Sequence, residues 1–242
     1  MKSIKEMIAK GDRPYLIVIK VVIIVLFVYS TLPIIAPISF KLGAPKIGVA
    51  IHKIYHVLCH QRVERSIYLF GEESLVQFYT VDELKEKHQI PKVNPDPPYD
   101  GAEEFYFGYP YWGNEQIGYK IAYCIRDTAL YSTTAFTALL MYSLYAFGIL
   151  KKKIPVLIYV ALMIPMAFDG VFQTMLEYGI FTFIKEPLYS LYVDNIAKRI
   201  ITGALFGVGF GIFTIQNMFD AISWFDIIKN NNNTVDVIKP DC

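Results

Sequence analysis

Three of the chain's four histidines, His52, His56 and His60, fall in the stretch IHKIYHVLCHQRVERS at residues 51–66, with Cys59 beside them. Imidazole and thiol are the side chains that bind zinc and other borderline-soft cations. Steps of four residues keep the three histidines on a slowly drifting stripe of one helix, with Cys59 between them in angle. Two imidazoles so spaced can share one ion, and a thiolate adds a soft ligand. Cys124 and Asp127, a helical turn apart further along the chain, can complete a tetrahedron. The expected ligands are therefore His56, Cys59, His60, Cys124 and Asp127, of which one tetrahedral ion uses four. Two milder readings compete. His52 reads as an ordinary interfacial polar residue, and Cys59 with Cys124 as a disulfide if they face an oxidising compartment.

The elements that position these residues are membrane helices. The chain has 242 residues, 54% of them hydrophobic, with a mean hydropathy of +0.37. That composition is too apolar for a typical soluble domain and predicts an all-α integral membrane protein in a lipid bilayer. A net charge of +1 gives no sign of a nucleic-acid partner. The first apolar run is too long for a cleaved secretory signal. Three cysteines are too few for a disulfide scaffold, and Cys242 reads as a terminal thiol. Nothing in the pattern fixes an oligomeric state.

About 20 apolar residues cross a bilayer, and four segments qualify: Tyr15–Ile38, Thr128–Leu150, Ile154–Leu176 and Ile200–Phe219. The last is followed by an interfacial tail containing Trp224. The His-rich segment, residues 47–60, is too short to span and reads as a re-entrant or interfacial helix. Four spans put both termini on one side, with Lys151, Lys152 and Lys153 in the loop between the second and third. Those lysines, with Lys2, Lys5, Lys10 and Arg13, place that side in the cytoplasm and the site outside it. The whole chain reads as one membrane domain, with residues 72–117 as an extramembrane insertion. It opens on a capping-box pattern, Thr80 with Glu83, and continues rich in Pro, Gly, Tyr and acids.

Ionisable residues inside membrane helices are costly and mark function by default. Asp169 lies 15 residues beyond Ile154, about 22 Å along the helix at 1.5 Å per residue. Cys124, Arg126 and Asp127 lie at the same far end of the second span, and Asn195 and Arg199 open the fourth there. All the unusual residues thus share one level. Asp169 and Arg199 read either as an ion pair supported by Gln173 and Asn195, or as groups gripping an anionic substrate, with Arg126 as a second anion holder. The segment GALFGVGFG, residues 203–211, has the small-xxx-small spacing of helix packing. No serine-hydrolase, zincin or P-loop motif is present.

HVLCHQRVERS, GYKIAYCIRDTALY, FDGVFQ and NIAKRIITGALFG together resemble a family of predicted integral membrane proteins catalogued as domain of unknown function 2085. The resemblance implies four ordered blocks. They fall here on Cys59, His60, Gln61, Arg65 and Ser66; on Cys124, Arg126 and Tyr131; on Asp169, Gly170 and Gln173; and on Asn195, Arg199, Thr202 and Gly203. Two positions depart from it. Asp127 stands where the family pattern has a second cysteine, and Ala129 where it has glycine. An aspartate keeps a metal ligand but cannot form a disulfide, which favours metal at this position. The segment after Gly71 is an insertion relative to that pattern. The resemblance supplies residues rather than a reaction.

The resulting expectation is a membrane protein with an interfacial His/Cys/Asp metal site, with zinc as the metal. If catalytic, it uses metal-activated water on a lipid-linked ester or phosphate. Asp169, Arg199 and Arg126 act on this lipid-like anionic substrate, and Gln61, Arg65, Tyr131, Gln173 and Asn195 support the site. A transporter or lipid carrier using Asp169 and Arg199 is the alternative, and a redox or haem-binding subunit the third.

Overall fold

The computed structural model describes residues 13–59, 61–80, 83–84, 111–150, 152–177 and 195–236. These form five helices and a small sheet. In chain order the elements are α1 (Arg13–Lys41), α2 (Pro45–His56), a 3-10 turn (Val63–Arg65), β1 (Ser66–Leu69), β2 (Val76–Gln77), β3 (Gly113–Asn114) and β4 (Gly118–Cys124). Three long helices follow: α3 (Ile125–Ala146), α4 (Val156–Glu177) and α5 (Ile196–Asp236).

Among the described residues, three helices are long and apolar enough to cross a membrane: Tyr15–Lys41, Val156–Met175 and Ile196–Ile222. The fourth expected span is only partly matched. At 22 residues α3 is long enough, but it opens with Arg126 and Asp127 and is rich in Thr, Ser and Tyr. It also ends before Leu150, at a turn where Gly148 adopts φ +68°. There Ile149 N donates to Leu144 O at 3.0 Å and Gly148 N to Tyr145 O at 3.1 Å, a glycine C-cap that satisfies the last carbonyls. The segment read as an interfacial tail continues α5, which is one 41-residue helix.

The long helices stand in a row, α1–α3–α5–α4. Glycines set the closest approach. A Cβ on Gly203 would lie 2.5 Å from Arg126 O, one on Gly207 would strike Leu130 O and Thr133 Oγ1, and one on Gly211 would lie 3.0 Å from Thr134 O. The small-residue stripe is therefore helix packing, as its spacing predicts. Both sets of numbers rise together, so α3 and α5 run parallel. On the opposite face of α5, Gly209 meets Tyr159 O of α4, 2.6 Å from its would-be Cβ, and α4 runs antiparallel. Leu16, Ile19, Met141, Tyr145, Ile215 and Phe219 form the core at the far end from the site.

The sheet was not legible in the sequence, where residues 72–117 read as irregular. Its order is β2-β1-β4-β3, all antiparallel. The strands at its edges have two residues each, too short for a period-two signal. In β4 five of seven residues are buried, on both faces, so the alternation that marks a strand is absent. The capping box is present: Thr80 N donates to Glu83 Oε2 at 2.8 Å and Glu83 N to Thr80 Oγ1 at 3.3 Å.

Gly207→Ala should lower stability by about 1–3 kcal/mol through overpacking. Gly170→Ala meets nothing within 4 Å and should leave stability unchanged or slightly raised. Thermal unfolding in detergent measures both; equal losses at the two sites would contradict the packing described.

Candidate functional site

Cys59, Cys124 and Asp127 come together from two segments, their donor atoms all within 4.8 Å of one another. Cys124 ends β4 and caps α3: its Sγ accepts from Asp127 N at 3.4 Å and donates to Asp127 Oδ2 at 3.1 Å. The spacing of three, read in the sequence as a ligand pair, is thus an N-cap with an acid in the first turn. Cys59 is buried against them. Its hydrogen bond with Cys124, then burial, then the Asp127 charge, hold its thiol well above the ordinary range. Both cysteines are free thiols in this structure.

The helical phase of the histidine stripe stops at His56. Helix α2 ends at His56, with Val57 as its C-cap, so Cys59 leaves the helical phase on which the stripe was drawn. His56 is exposed, and it is not among the donors that converge with Cys59. His60 lies outside the described residues.

His52, read in the sequence as interfacial, is fully buried. Its Nδ1 lies 2.7 Å from Gln61 Oε1 and its Nε2 3.2 Å from Lys120 O. Gln61 Nε2 donates back to His52 O at 2.8 Å, and Lys120 Nζ donates to Gln61 O at 2.7 Å. Gln61 adopts φ +51°, a left-handed conformation that turns the chain after Cys59 and aims the amide at His52. This ring of three buried polar residues ties α2 and β4 to the Cys59 segment. Burial and the Lys120 charge lower His52 to about 4; burial lowers Lys120 to about 7. Lys120 went unnoticed in the sequence; its signal was a single cation inside the apolar run GYKIAYC.

Beside this cluster lies a charged cluster between helices. Arg126 Nη2 donates to Asp169 Oδ2 at 2.5 Å and to Gln173 Oε1 at 2.8 Å. Asp169 and Gln173, four apart on α4, share one face and grip the same guanidinium. Lys198 Nζ lies 2.9 Å from Asp169 Oδ1. The expected Asp169–Arg199 pair is therefore corrected: the partners are Arg126 and Lys198. On a helix the neighbouring positions 198 and 199 point about 100° apart, and it is Lys198 that meets the Asp169 carboxylate. Asn195 caps α5, accepting from Lys198 N at 2.9 Å. Tyr131 stacks with Tyr123 and meets Tyr29 edge-on, centroids 5.1 and 4.9 Å apart. Arg65 Nε lies 3.6 Å from Glu64 Oε1, and Arg62 also contacts Glu64.

Three apolar helices long enough to span, with an ionised cluster held between helix ends, define an integral membrane protein. Residues 116–213 match the family described as Predicted membrane protein (DUF2085), which bears out the resemblance over that stretch. The match takes in Cys124, Arg126, Asp169, Gln173, Asn195 and Arg199, but not Cys59. No curated protein and no solved structure matches the chain.

Asp169→Asn leaves Arg126 and Lys198 facing a neutral amide at a buried position. It should cost about 3 kcal/mol or more, whereas Glu72→Gln, on the exposed loop, should cost less than about 0.5 kcal/mol. Chemical unfolding in detergent tests this, and similar midpoints for the two variants would contradict it.

Proposed function

We propose that Cys59, Cys124 and Asp127 hold a zinc ion in a multi-pass membrane protein that acts on a lipid-linked ester or phosphate. One observation carries the metal: three donor atoms from distant segments lie within 4.8 Å of one another. A tetrahedral ion with bonds of about 2.3 Å to sulfur spaces its ligands roughly 3.8 Å apart, so modest closure suffices. Two thiolates and a carboxylate suit zinc. His60, adjacent to Cys59 in sequence, is the candidate fourth ligand. Cys59 and Cys124 would hold it as thiolates, Cys124 giving up the hydrogen it donates to Asp127.

Zinc at this position supplies Lewis-acid activation of water toward an ester or phosphate. The chain's own residues do the rest. Asp169 and Gln173 orient Arg126, and Arg199 opens α5 beside it, so cations face the anion of the substrate. A carrier reading has less support, because Asp169 is held by two cations rather than lining an open path. A haem reading has less still: none of the three candidate spans contains a histidine.

Helix α3 is the fourth span in this proposal. The Thr and Ser hydroxyls that lower its hydropathy bond back to its own turn, as Thr134 Oγ1 does to Leu130 O at 2.8 Å, which reduces their cost in lipid. The start of α1, the α3–α4 connection and the Asp220 region of α5 then lie at one end, with Lys153 Nζ 2.7 Å from Asp220. The site lies at the other end. Lysines at the first end favour the cytoplasm for it and for both termini.

Metal content per protein is the test. Wild type and Asp127→Cys should carry about one zinc, Asp127→Ala less, and Cys59→Ser or His60→Ala least. Equal content in all five would remove the site. Absence of zinc with Cys59 and Cys124 oxidised to each other would put a disulfide in its place.

Sidedness has its own measurement. Single cysteines at Glu73 and Lys152, each in a Cys-free background, should react with an impermeant thiol reagent from opposite faces of sealed vesicles. Reaction from the same face would overturn the four-span arrangement.

A further inference from the structure

Helices α3 and α5 run parallel, so their N-termini lie side by side. Their first residues, Ile125 and Ile196, line one small cleft. Each helix start carries a partial positive charge of about half a unit, and Asp127 in the first turn of α3 and Asp169, paired with Arg126 and Lys198, offset part of it. Arg65 and Arg199 line the same cleft and add to the positive charge. The Arg199 residue is 3% exposed and the Arg65 side chain 10%. Glu64, also in the lining, contacts Arg62 and lies 3.6 Å from Arg65. Ser66, the remaining polar residue of the lining, pairs with Cys124 across the β1–β4 ladder. The cleft is therefore one strand away from the thiol cluster.

We propose that this cleft binds a phosphate-type oxyanion, with Arg65 and Arg199 as its charged donors. The enclosed space is about 10 Å³, room for a single oxygen. The site thus takes one terminal oxygen of the phosphate and leaves the rest outside, where an ester substituent is tolerated. Guanidinium groups are suited to this, because their forked N–H donors match phosphate oxygens. The site places the anion of the substrate proposed above. It rests on that membrane reading but not on the metal. The phosphate comes from one of two sources, a phospholipid headgroup or a free phosphate ester.

The experiment uses the full chain, purified and delipidated in detergent, as wild type, R65Q, R199Q, R65Q/R199Q and R199K. Inorganic phosphate is titrated calorimetrically. In parallel, each protein is reconstituted into phosphatidylcholine nanodiscs containing phosphatidylglycerol, and native mass spectrometry counts the anionic lipid retained. Wild type should bind at least one probe, and R65Q and R199Q should each weaken that binding about tenfold or more, with R199K between. Phosphate binding alone assigns a free phosphate ester; phosphatidylglycerol retention alone assigns a headgroup. Zinc is measured on the same samples, so a zinc-free wild type that still binds the anion removes the metal and leaves this site. Binding of both probes to R65Q/R199Q as tight as to wild type, or no binding of either to wild type, overturns the proposal. Should R199Q fail to fold, R65Q decides, since its side chain leaves a short turn outside the helical row.

Discussion

The close parallel packing of α3 on α5 is the constraint from which the rest of the site follows. Glycines at 203, 207 and 211 bring the two backbones together, and parallel direction then puts two positive helix ends at one level. Arg126 and Lys198 in the first turns add to that charge. In a low-dielectric surrounding such a concentration is costly, and Asp169 of α4 offsets it by reaching both cations. The aspartate in the middle of an apolar span is thus explained by a packing decision made on its neighbours. Gln173 follows from the same logic, one helical turn on, as a neutral acceptor for the guanidinium.

The thiol cluster depends on a different device. Cys124 and Asp127 are fixed by the start of a helix, but Cys59 sits in a coil, where nothing regular holds it. The His52–Gln61–Lys120 ring supplies that hold. Each member is fully buried and each makes a bond to another. A half-satisfied version of this ring would be worse than an apolar filling, so the three residues act as a unit and set how closely Cys59 approaches Cys124.

Much of this was legible in sequence. The apolar helices, the small-residue stripe and the shared level of Cys124, Arg126, Asp169 and Arg199 follow from length, spacing and depth alone. What was not legible depended on where helical phase stops. The histidine stripe assumed that α2 continued past His56; the chain turns there, and no glycine or proline marks the place. Asp169 was assigned to Arg199 rather than to Lys198 and Arg126, because depth orders residues along the bilayer but not around a helix. The sheet escaped because β4 is buried on both faces and its edge partners are two residues long.

Helix α4 packs against α5 among the described elements and reaches α3 chiefly through the Arg126 side chain. Its apolar partner is therefore made after it, whereas Arg126, one of its two ionic partners, is made before it. During synthesis Asp169 can enter the membrane already bound to Arg126, while the face of α4 that will meet Gly209 waits in lipid for α5. Helix α5 fills the row, and a chain interrupted before it would keep the Arg126–Asp169 pair while lacking Lys198 and its interior.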